Sequence, residues 1–467
     1  MKHMDQASLD AEQEREARDL HRGLKDRHVQ LIALGGAIGV GLFLGSGRAI
    51  SQAGPGLIFA YAAGGIIIFF IMRALGELLL HRPVAGSFAT YAEEYVSPFA
   101  GFATGWSYWF MWVVTGMAEI TAVAIYTTYW WPDMPQWIPA LIALGVLYAV
   151  NLIAVGLFGE LEFWFALIKI VAIVALLIAG PLVMLFNLGP AGETATVANL
   201  WQLGGFFPTG VLGVVLSLQI VMFAFQGVEL IGVTAGEVED PEKSLPKATN
   251  AVVYRILIFY IGALIVIMSV MPWTELHAGE SPFVMVFAAM GVPAAAGIIN
   301  FVVITAAASS CNGGLFSTGR MLYTLAQFGQ APRAFGKVSA THVPAIAITF
   351  SAAVMLIGVV LNYYIPEQVF VYVTSVALVG SLWTWAMIVI AHLGYRRAVE
   401  RGEATPVSFR MPGTPYTNWL VLVFLGLVAI FLGIDESTRV AIYVAPIWFA
   451  LLGLGYYFTR RDHLQPA

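Results

Sequence analysis

Apolar runs of about 20 residues recur along almost the whole of this chain, and such a run is long enough to cross about 30 Å of hydrocarbon as a helix. Charged residues make up only 11% of the chain. In a soluble domain about a quarter of the residues are charged. We therefore predict an all-α integral membrane protein. The single cysteine, Cys311, excludes an intramolecular disulfide.

Twelve membrane spans can be read from these runs. The third, sixth and eighth are long, so we expect them to tilt or to extend beyond the bilayer. The predicted spans are 28–53, 55–79, 99–130, 137–157, 161–187, 206–236, 250–271, 282–312, 343–362, 367–393, 417–434 and 438–459. They form one domain at 28–459, with an N-terminal tail at 1–27 and a C-terminal tail at 460–467.

The basic residues lie on one side of this arrangement. With the N-terminus inside, 20 of the 23 Lys and Arg residues fall in inside segments, and the exceptions are Arg48, Lys169 and Arg439. Because cytoplasmic loops collect Lys and Arg, we expect both termini to be cytosolic. The polar first 27 residues contain no apolar signal-peptide core, so we expect no cleaved leader.

Glycines interrupt two of the predicted spans. The first contains "GAIGVGLFLG" and the sixth contains "FAFQGVELIG". Packing of small residues against a neighbouring helix is one interpretation, and a phosphate loop is disfavoured because no strand precedes the glycines. Discontinuous helices are the third interpretation. The two interrupted spans lie five spans apart, as the discontinuous helices of inverted-repeat transporters do. This spacing predicts repeats at 28–187 and 206–393, with extra helices at 417–459.

Several longer motifs resemble those of one protein family. They are "RHVQLIALGGAIGVGLFLGSG", "MRALGELLL", "GELEFWFALIKIVAIV", "FAFQGVELIGVTAGEVEDPEKSLPKA" and "NFVVITAAASSCNGGLFSTGRML". The chain resembles the bacterial amino-acid permeases of the amino acid–polyamine–organocation superfamily, in the amino acid transporter family. The resemblance implies a LeuT-like fold with a 5+5 inverted repeat and broken helices 1 and 6. "GWSYWFMWVVTGMAE", "FYIGALIVIMSVMPW" and "ESPFV" look most like the D-serine/alanine/glycine subgroup.

The resemblance also implies a substrate site at the two breaks. The substrate carboxylate would meet backbone N–H groups at Val40 and Gly41, and Phe223 would be an aromatic gate. Some relatives have Ser or Thr where Val40 stands, so here carboxylate binding must rest on amide groups. Backbone carbonyls of both breaks would accept from the substrate ammonium. The implied substrate-site residues are Ala37, Ile38, Gly39, Val40, Gly41, Phe223, Ala224, Phe225, Gln226, Gly227, Glu119 and Glu229.

Lys169 is a charge inside the fifth predicted span. One interpretation is snorkelling of its ammonium to the interface. The other is a proton site, because a buried lysine is costly unless it is paired or neutral. By resemblance, proton-coupled relatives place a lysine where sodium-coupled ones bind Na⁺, and its partners would be Ser309 and Ser310. This favours proton coupling, with no sodium site, no metal site and no other cofactor.

Two further acids have alternative interpretations. Glu229 follows the predicted break and would be either a helix cap or a contact for substrate or proton. Glu119 would be either an outer-interface residue or, by resemblance, a group at the border of the substrate pocket.

Together these features predict a secondary transporter that imports a small neutral α-amino acid of the alanine, serine and glycine class by proton symport, with alternating access. It would reside in a bacterial cytoplasmic membrane. Proline, histidine or aromatic amino acids stay open as substrates, as does ion-independent exchange. An amino-acid receptor is a remote alternative. Nothing in the sequence indicates an enzyme, nucleic-acid binding or an obligate protein partner.

Overall fold

A computed structural model describes residues 38–84, 86–153, 155–234, 241–277, 279–291, 293–339 and 343–462. All regular elements in these ranges are helical. The α-helices numbered here are α1 Val40–Phe43, α2 Gly45–Ala53, α3 Leu57–His81, α4 Ser87–Tyr95, α5 Pro98–Thr127, α6 Trp137–Ile153, α7 Val155–Phe186, α8 Gly210–Ala224, α9 Leu230–Thr234, α10 Pro241–Arg255, α11 Ala263–Val270, α12 Pro282–Ala289, α13 Pro293–Gln327, α14 Ala345–Tyr364, α15 Val369–Glu400, α16 Tyr416–Ile434 and α17 Val440–Asp462. Shorter pieces lie at Gly54–Gly56, Pro190–Glu193, Asn199–Gln202, Ile256–Gly262 (a π-helix), Trp273–Glu275 and Arg333–Gly336.

Nine helices within these ranges are long and apolar enough to cross a membrane. One of them runs continuously from Gly45 to His81, because a 3₁₀ turn joins α2 to α3. Helices α6 and α8 are apolar but shorter. All twelve predicted segments are at least partly helical, yet the count of twelve spans stays a prediction. The first part of the predicted first span, 28–37, lies outside the described residues.

The predicted sixth span, 206–236, is interrupted, in agreement with the discontinuous-helix interpretation: α8 and α9 are separated by a turn. The predicted bounds of the eighth span, 282–312, are wrong. Its first part is the separate helix α12, and α13 runs from Pro293 to Gln327. Polar residues in the second half of α13 are buried inside the protein, so an apolar run underestimates the length of this helix.

Helix α5 lies at the centre of the fold and packs extensively against α13 and α15. Its start is well determined by the sequence. The Ser97 side chain accepts a hydrogen bond from the Ala100 N–H, and Pro98 occupies the first helical position, which needs no hydrogen-bond donor. Most of the helix is buried, so its side chains serve internal sites rather than lipid contact.

Arg48, an exception to the basic-residue asymmetry, is paired with an acid. Its Nη2 atom lies 3.3 Å from Asp435 Oδ2, in the loop between α16 and α17, and 2.5 Å from Ser437 Oγ. The Gln52 amide also donates to Asp435 Oδ2, at 3.2 Å. This cluster ties the end of α2 to the last helical hairpin.

Asp435 predicts a weak loss of stability in acid. Burial raises its pKa, but hydrogen bonds from Ser437, the Arg48 charge and Gln52 outweigh burial and leave the pKa below its ordinary value. A depressed carboxyl pKa stabilises the fold above the unfolded pKa of about 3.9, and this stabilisation disappears as the pH falls through the folded pKa. We expect Asp435→Asn to lower stability by less than about 1 kcal/mol near neutral pH and to have no effect at low pH. Thermal unfolding in detergent measures this, and a difference that does not change with pH would contradict it.

Candidate functional site

The start of α1 and the turn between α8 and α9, which are the described parts of the two predicted breaks, meet in the interior of the protein. Gly39 is in extended conformation, with φ −120° and ψ −159°, and α1 begins at the next residue, Val40. Helix α8 ends at Ala224, and the chain turns through 225–229 before α9 begins. Gly227 in this turn has a φ of +93°, a conformation that favours glycine. Both breaks leave backbone groups without partners inside a helix.

The two breaks touch backbone to backbone at Gly41. A Cβ atom on Gly41 would lie 2.5 Å from the Cα atom of Ala224. No side-chain rotation could relieve such a contact, so only glycine fits there. The close approach places the first N–H groups of α1, which have no acceptor within the helix, beside the end of α8.

A small cavity lies where these breaks face α5 and α13. Its volume is about 10 Å³, which is about the space of one water molecule. A substrate therefore requires some of the surrounding side chains to move. The cavity is lined by Gly39, Gly41, Trp112, Thr115, Glu119, Phe223, Ala224, Gln226 and Ser310.

The Gln226 side chain is held from two sides of the cavity. Its Oε1 atom accepts from Thr115 Oγ1 of α5 at 3.0 Å, and its Nε2 atom donates to Ser381 Oγ of α15 at 2.5 Å. The preceding turn is held too, because the Tyr260 hydroxyl donates to the Ala224 carbonyl at 3.1 Å. The break in the sixth predicted span is therefore fixed by defined contacts.

Glu119 reaches the cavity from α5 and is 2% exposed. Its electrostatic neighbours are the Ser310 hydroxyl, the Lys169 ammonium and the Val40 N–H. A Cβ atom on Gly39 would lie 2.9 Å from Glu119 Oε1 and 3.2 Å from Ser310 Oγ. The other carboxylate oxygen, Oε2, accepts no hydrogen bond from any described residue. A carboxyl group thus lies at the start of α1, where the family resemblance implies that the substrate carboxylate binds.

Lys169 is fully buried in a polar network between α7 and α13. Its Nζ atom donates to Ser309 Oγ at 2.9 Å, and Ser309 Oγ donates to Glu162 Oε2 at 2.8 Å. The Asn312 amide donates to Glu162 Oε1 at 3.1 Å. The ammonium is therefore enclosed by protein and hydrogen-bonded there, which disfavours snorkelling.

Adjacent serines on α13 connect the two regions. Ser309 contacts Lys169 and Glu162, whereas Ser310 lines the cavity beside Glu119. Lys169 and Glu119 also interact electrostatically. A change of charge at Lys169 would therefore act directly on Ser309, the residue next to the cavity-lining Ser310.

Glu229 caps the break instead of lining the cavity. Its two carboxylate oxygens accept from the Gly227 N–H, each at 3.2 Å, and Oε2 also accepts from Trp385 Nε1 at 3.2 Å. Both donors are groups of the protein that hold the turn, so this geometry favours the helix-cap interpretation over a contact with substrate or proton.

The cavity contains some of the predicted residues but not all. Predicted residues that line it are Gly39, Gly41, Glu119, Phe223, Ala224, Gln226 and Ser310. Ile38, Val40, Phe225, Gly227 and Glu229 lie near the breaks without lining the cavity, and Ala37 lies outside the described residues. In the described part of the chain, no three His, Cys, Asp or Glu side chains are grouped as a metal site.

Trp112 and Thr115 line the cavity but were not predicted to do so. They precede Glu119 by seven and four residues, so the three share one face of α5. That spacing was the available signal. Two further residues were not predicted: Glu162, which accepts from Ser309, and Asn312, whose amide donates to Glu162. Glu162 lies seven residues before Lys169, on the same helical face.

Known proteins match this chain along nearly its full length. One relative, the uncharacterized amino acid permease YtnA of Bacillus subtilis, is 54% identical over 97% of this chain and 98% of its own. The D-serine/D-alanine/glycine transporter of Escherichia coli is 46% identical over 98% of each chain. The aromatic amino acid transport protein AroP of Escherichia coli is 47% identical over 95% of this chain and 96% of its own.

The amino acid permease family profile matches residues 28–466. The relatives are transporters rather than enzymes, and the apolar helices agree with an integral membrane protein. The predicted resemblance is confirmed: this chain belongs to the amino acid permease family, within the amino acid–polyamine–organocation superfamily, and its function lies in amino-acid transport.

Proposed function

We propose that this permease imports a small neutral α-amino acid together with a proton across a bacterial cytoplasmic membrane. The observation that carries the proposal is the pair of adjacent serines on α13, which connects the buried Lys169–Glu162 network to the cavity that Glu119 and the α1 N-terminus share. Binding and proton movement can then influence each other through one helix.

The backbone at α1 suits a substrate carboxylate. The N–H groups at a helix start attract an anion, and the helix dipole adds to the attraction. One of them, at Val40, already meets the Glu119 carboxylate. Gly39 and Gly41 have no side chains that would screen these groups. Val40 supplies no hydroxyl, so the amides carry this interaction, and carbonyls at the α8 break would accept from the ammonium.

The size of the cavity favours a small substrate side chain. About 10 Å³ is free between Trp112 and Phe223, two bulky aromatic residues that also line the space. Alanine, serine or glycine demands less movement of these walls than a large side chain does. Thr115 and Gln226 add polar groups to the lining of the same space. Because the relatives include both small and aromatic amino-acid transporters, they do not choose between these classes.

Glu119 gives the proposed coupling a physical basis. A substrate carboxylate at the start of α1 would meet the Glu119 carboxyl, and two adjacent buried negative charges repel each other strongly. A proton on Glu119 removes that repulsion. Lys169 would exchange a proton with the same region as the α1 and α13 segments move during alternating access. Each bound substrate then requires one bound proton.

Counterflow into proteoliposomes tests the substrate class. Vesicles loaded with unlabelled L-alanine should take up labelled L-alanine, and external alanine, serine and glycine should compete better than proline, histidine or phenylalanine. D-alanine and D-serine belong in the same panel because of the similar D-serine/D-alanine/glycine transporter. Stronger competition by phenylalanine or tryptophan would contradict the small-substrate proposal but leave family membership intact. Ion-independent exchange predicts the same counterflow with no response to pH.

A further inference from the structure

A second, larger cavity lies between α5, α14 and α17. Its volume is about 660 Å³, and its walls include Phe102, Trp106 and Trp109 of α5, Phe350 of α14 and Trp448 of α17. It shares no residue with the substrate cavity. Transport as proposed above leaves this aromatic space unexplained.

The walls of the cavity are held in place. Trp109 stacks on Phe350 with ring centroids 5.4 Å apart, and its indole N–H donates to Ser351 Oγ at 3.0 Å. The Trp448 indole N–H donates to Ser107 Oγ at 3.1 Å. Satisfied indole groups leave apolar ring surface facing the cavity, which suits an aliphatic ligand.

The mouth of the cavity opens to lipid. Leu451 and Phe458 line it from α17 and are 56% and 60% exposed. They belong to a membrane-length helix, of whose most apolar window only 11% is buried inside the protein. Exposed apolar surface on such a helix contacts acyl chains, so a lipid tail can enter without crossing water.

The length of the cavity is close to the thickness of one leaflet. Its lining residues run from Phe102 to Trp109 on α5, about 10 Å of helix rise, and from Trp448 to Thr459 on α17, about 16 Å. Half of the hydrocarbon core is about 15 Å thick. The cavity is therefore long enough for much of one acyl chain.

A positive charge stands at the interfacial rim. Arg333 lines the cavity, is exposed, and makes no ion pair within the part of the chain that the structure describes. Its neighbour Gln330 accepts from the Trp106 indole through its carbonyl at 3.1 Å and donates to Glu93 Oε2 at 2.9 Å. Arg333 lies on the side that carries the basic loops. Anionic lipid headgroups are attracted to such a residue.

We propose that this cavity binds an anionic phospholipid of the leaflet on the basic side. One acyl chain lies between the aromatic walls, and the phosphate and its headgroup meet the Arg333 guanidinium. This lipid site is separate from the amino-acid site and does not depend on the proposed substrate or coupling ion.

Photo-crosslinking tests the site and the lipid class together. The purified full-length protein is reconstituted with phosphatidylglycerol that carries a diazirine in one acyl chain, and labelled peptides are mapped. We expect label on peptides from α5 and α17 around Trp106 and Trp448, displaced by unlabelled phosphatidylglycerol more readily than by phosphatidylcholine.

Three variants complete the test. Arg333→Gln should reduce the preference for phosphatidylglycerol about fivefold, the effect of losing one basic contact with an anionic lipid. Lys337→Gln removes the same charge from an exposed position of the same loop outside the cavity, and it should label as wild type does. Gly455→Leu, where a Cβ would already lie 3.4 Å from the Phe102 ring, should reduce labelling by either lipid.

Normal amino-acid counterflow by each variant verifies folding. The proposal is overturned if both lipids compete equally in the wild type, if Arg333→Gln behaves like Lys337→Gln, or if the label spreads evenly over all lipid-facing helices. Either of the first two outcomes would reduce the cavity to a groove that binds lipids without regard to charge. The third would show that the cavity is not a lipid site.

Discussion

Lys169→Ala should abolish accumulation of substrate under a pH gradient and leave counterflow exchange largely intact. The ammonium contacts Ser309 Oγ at 2.9 Å, and Ser309 in turn contacts Glu162. Without the ammonium, no charge at position 169 can change during the cycle. The cavity proposed as the amino-acid site is not lined by Lys169, so binding and exchange should continue.

Uptake into sodium-free proteoliposomes measures this effect. A difference of one pH unit supports at most about tenfold accumulation per proton, since one unit is worth about 1.4 kcal/mol. We expect the wild type to accumulate labelled alanine and the variant to reach a ratio near one. Lys247→Ala, which removes an exposed charge, is the matched control and should accumulate alanine normally. A Lys169→Ala protein that still concentrates alanine would remove Lys169 from the coupling mechanism.

Gly41→Ala should have the second large effect, a loss of transport in every mode. The new Cβ would lie 2.5 Å from Ala224 Cα, so the two breaks must separate. Overpacking of this kind costs about 1–3 kcal/mol, and here it also displaces the N–H groups proposed to bind the carboxylate. Exchange and gradient-driven uptake should fail together, which distinguishes this variant from Lys169→Ala.

Gly145→Ala is the matched control for this substitution. A Cβ at Gly145 in α6 meets nothing within 4 Å, and alanine is the better helix former. We expect normal uptake and an unchanged or slightly higher unfolding temperature for Gly145→Ala, against a lower one for Gly41→Ala. Wild-type uptake by Gly41→Ala would show that the breaks do not need to approach each other so closely.

Helices and interruptions were the most predictable features of this protein. A helix that spans a membrane has to be apolar over about 20 residues, so its position can be read from the sequence as an apolar run. Glycines marked the break between α8 and α9, because a φ of +93° at Gly227 favours this residue. The end of α13 was not predictable in the same way, because polar residues in its second half are buried inside the protein and the apolar run therefore ends before the helix does.

The site was predictable only where a residue was unusual. A lysine inside an apolar span demanded partners, and the structure places it against Ser309. Trp112 and Thr115 are ordinary residues of a membrane helix, and their spacing from Glu119 was the one signal they gave. Whether they face the cavity depends on how α5 is rotated against α13 and α15, which a single sequence does not specify. Glu229 was also unusual, but its position did not reveal a substrate contact. The free-energy cost of burying its carboxylate is offset by hydrogen bonds from the Gly227 N–H.

Proton movement that accompanies alanine uptake tests the proposed proton symport most directly. Sodium-free proteoliposomes containing a pH-sensitive dye receive external L-alanine, and uptake of labelled alanine is followed in parallel. We expect acidification of the vesicle interior that begins when alanine is added, saturates with alanine concentration, and is absent in Lys169→Ala vesicles. Saturable alanine uptake with no change in internal pH would contradict proton symport and would identify an exchanger or coupling to another ion.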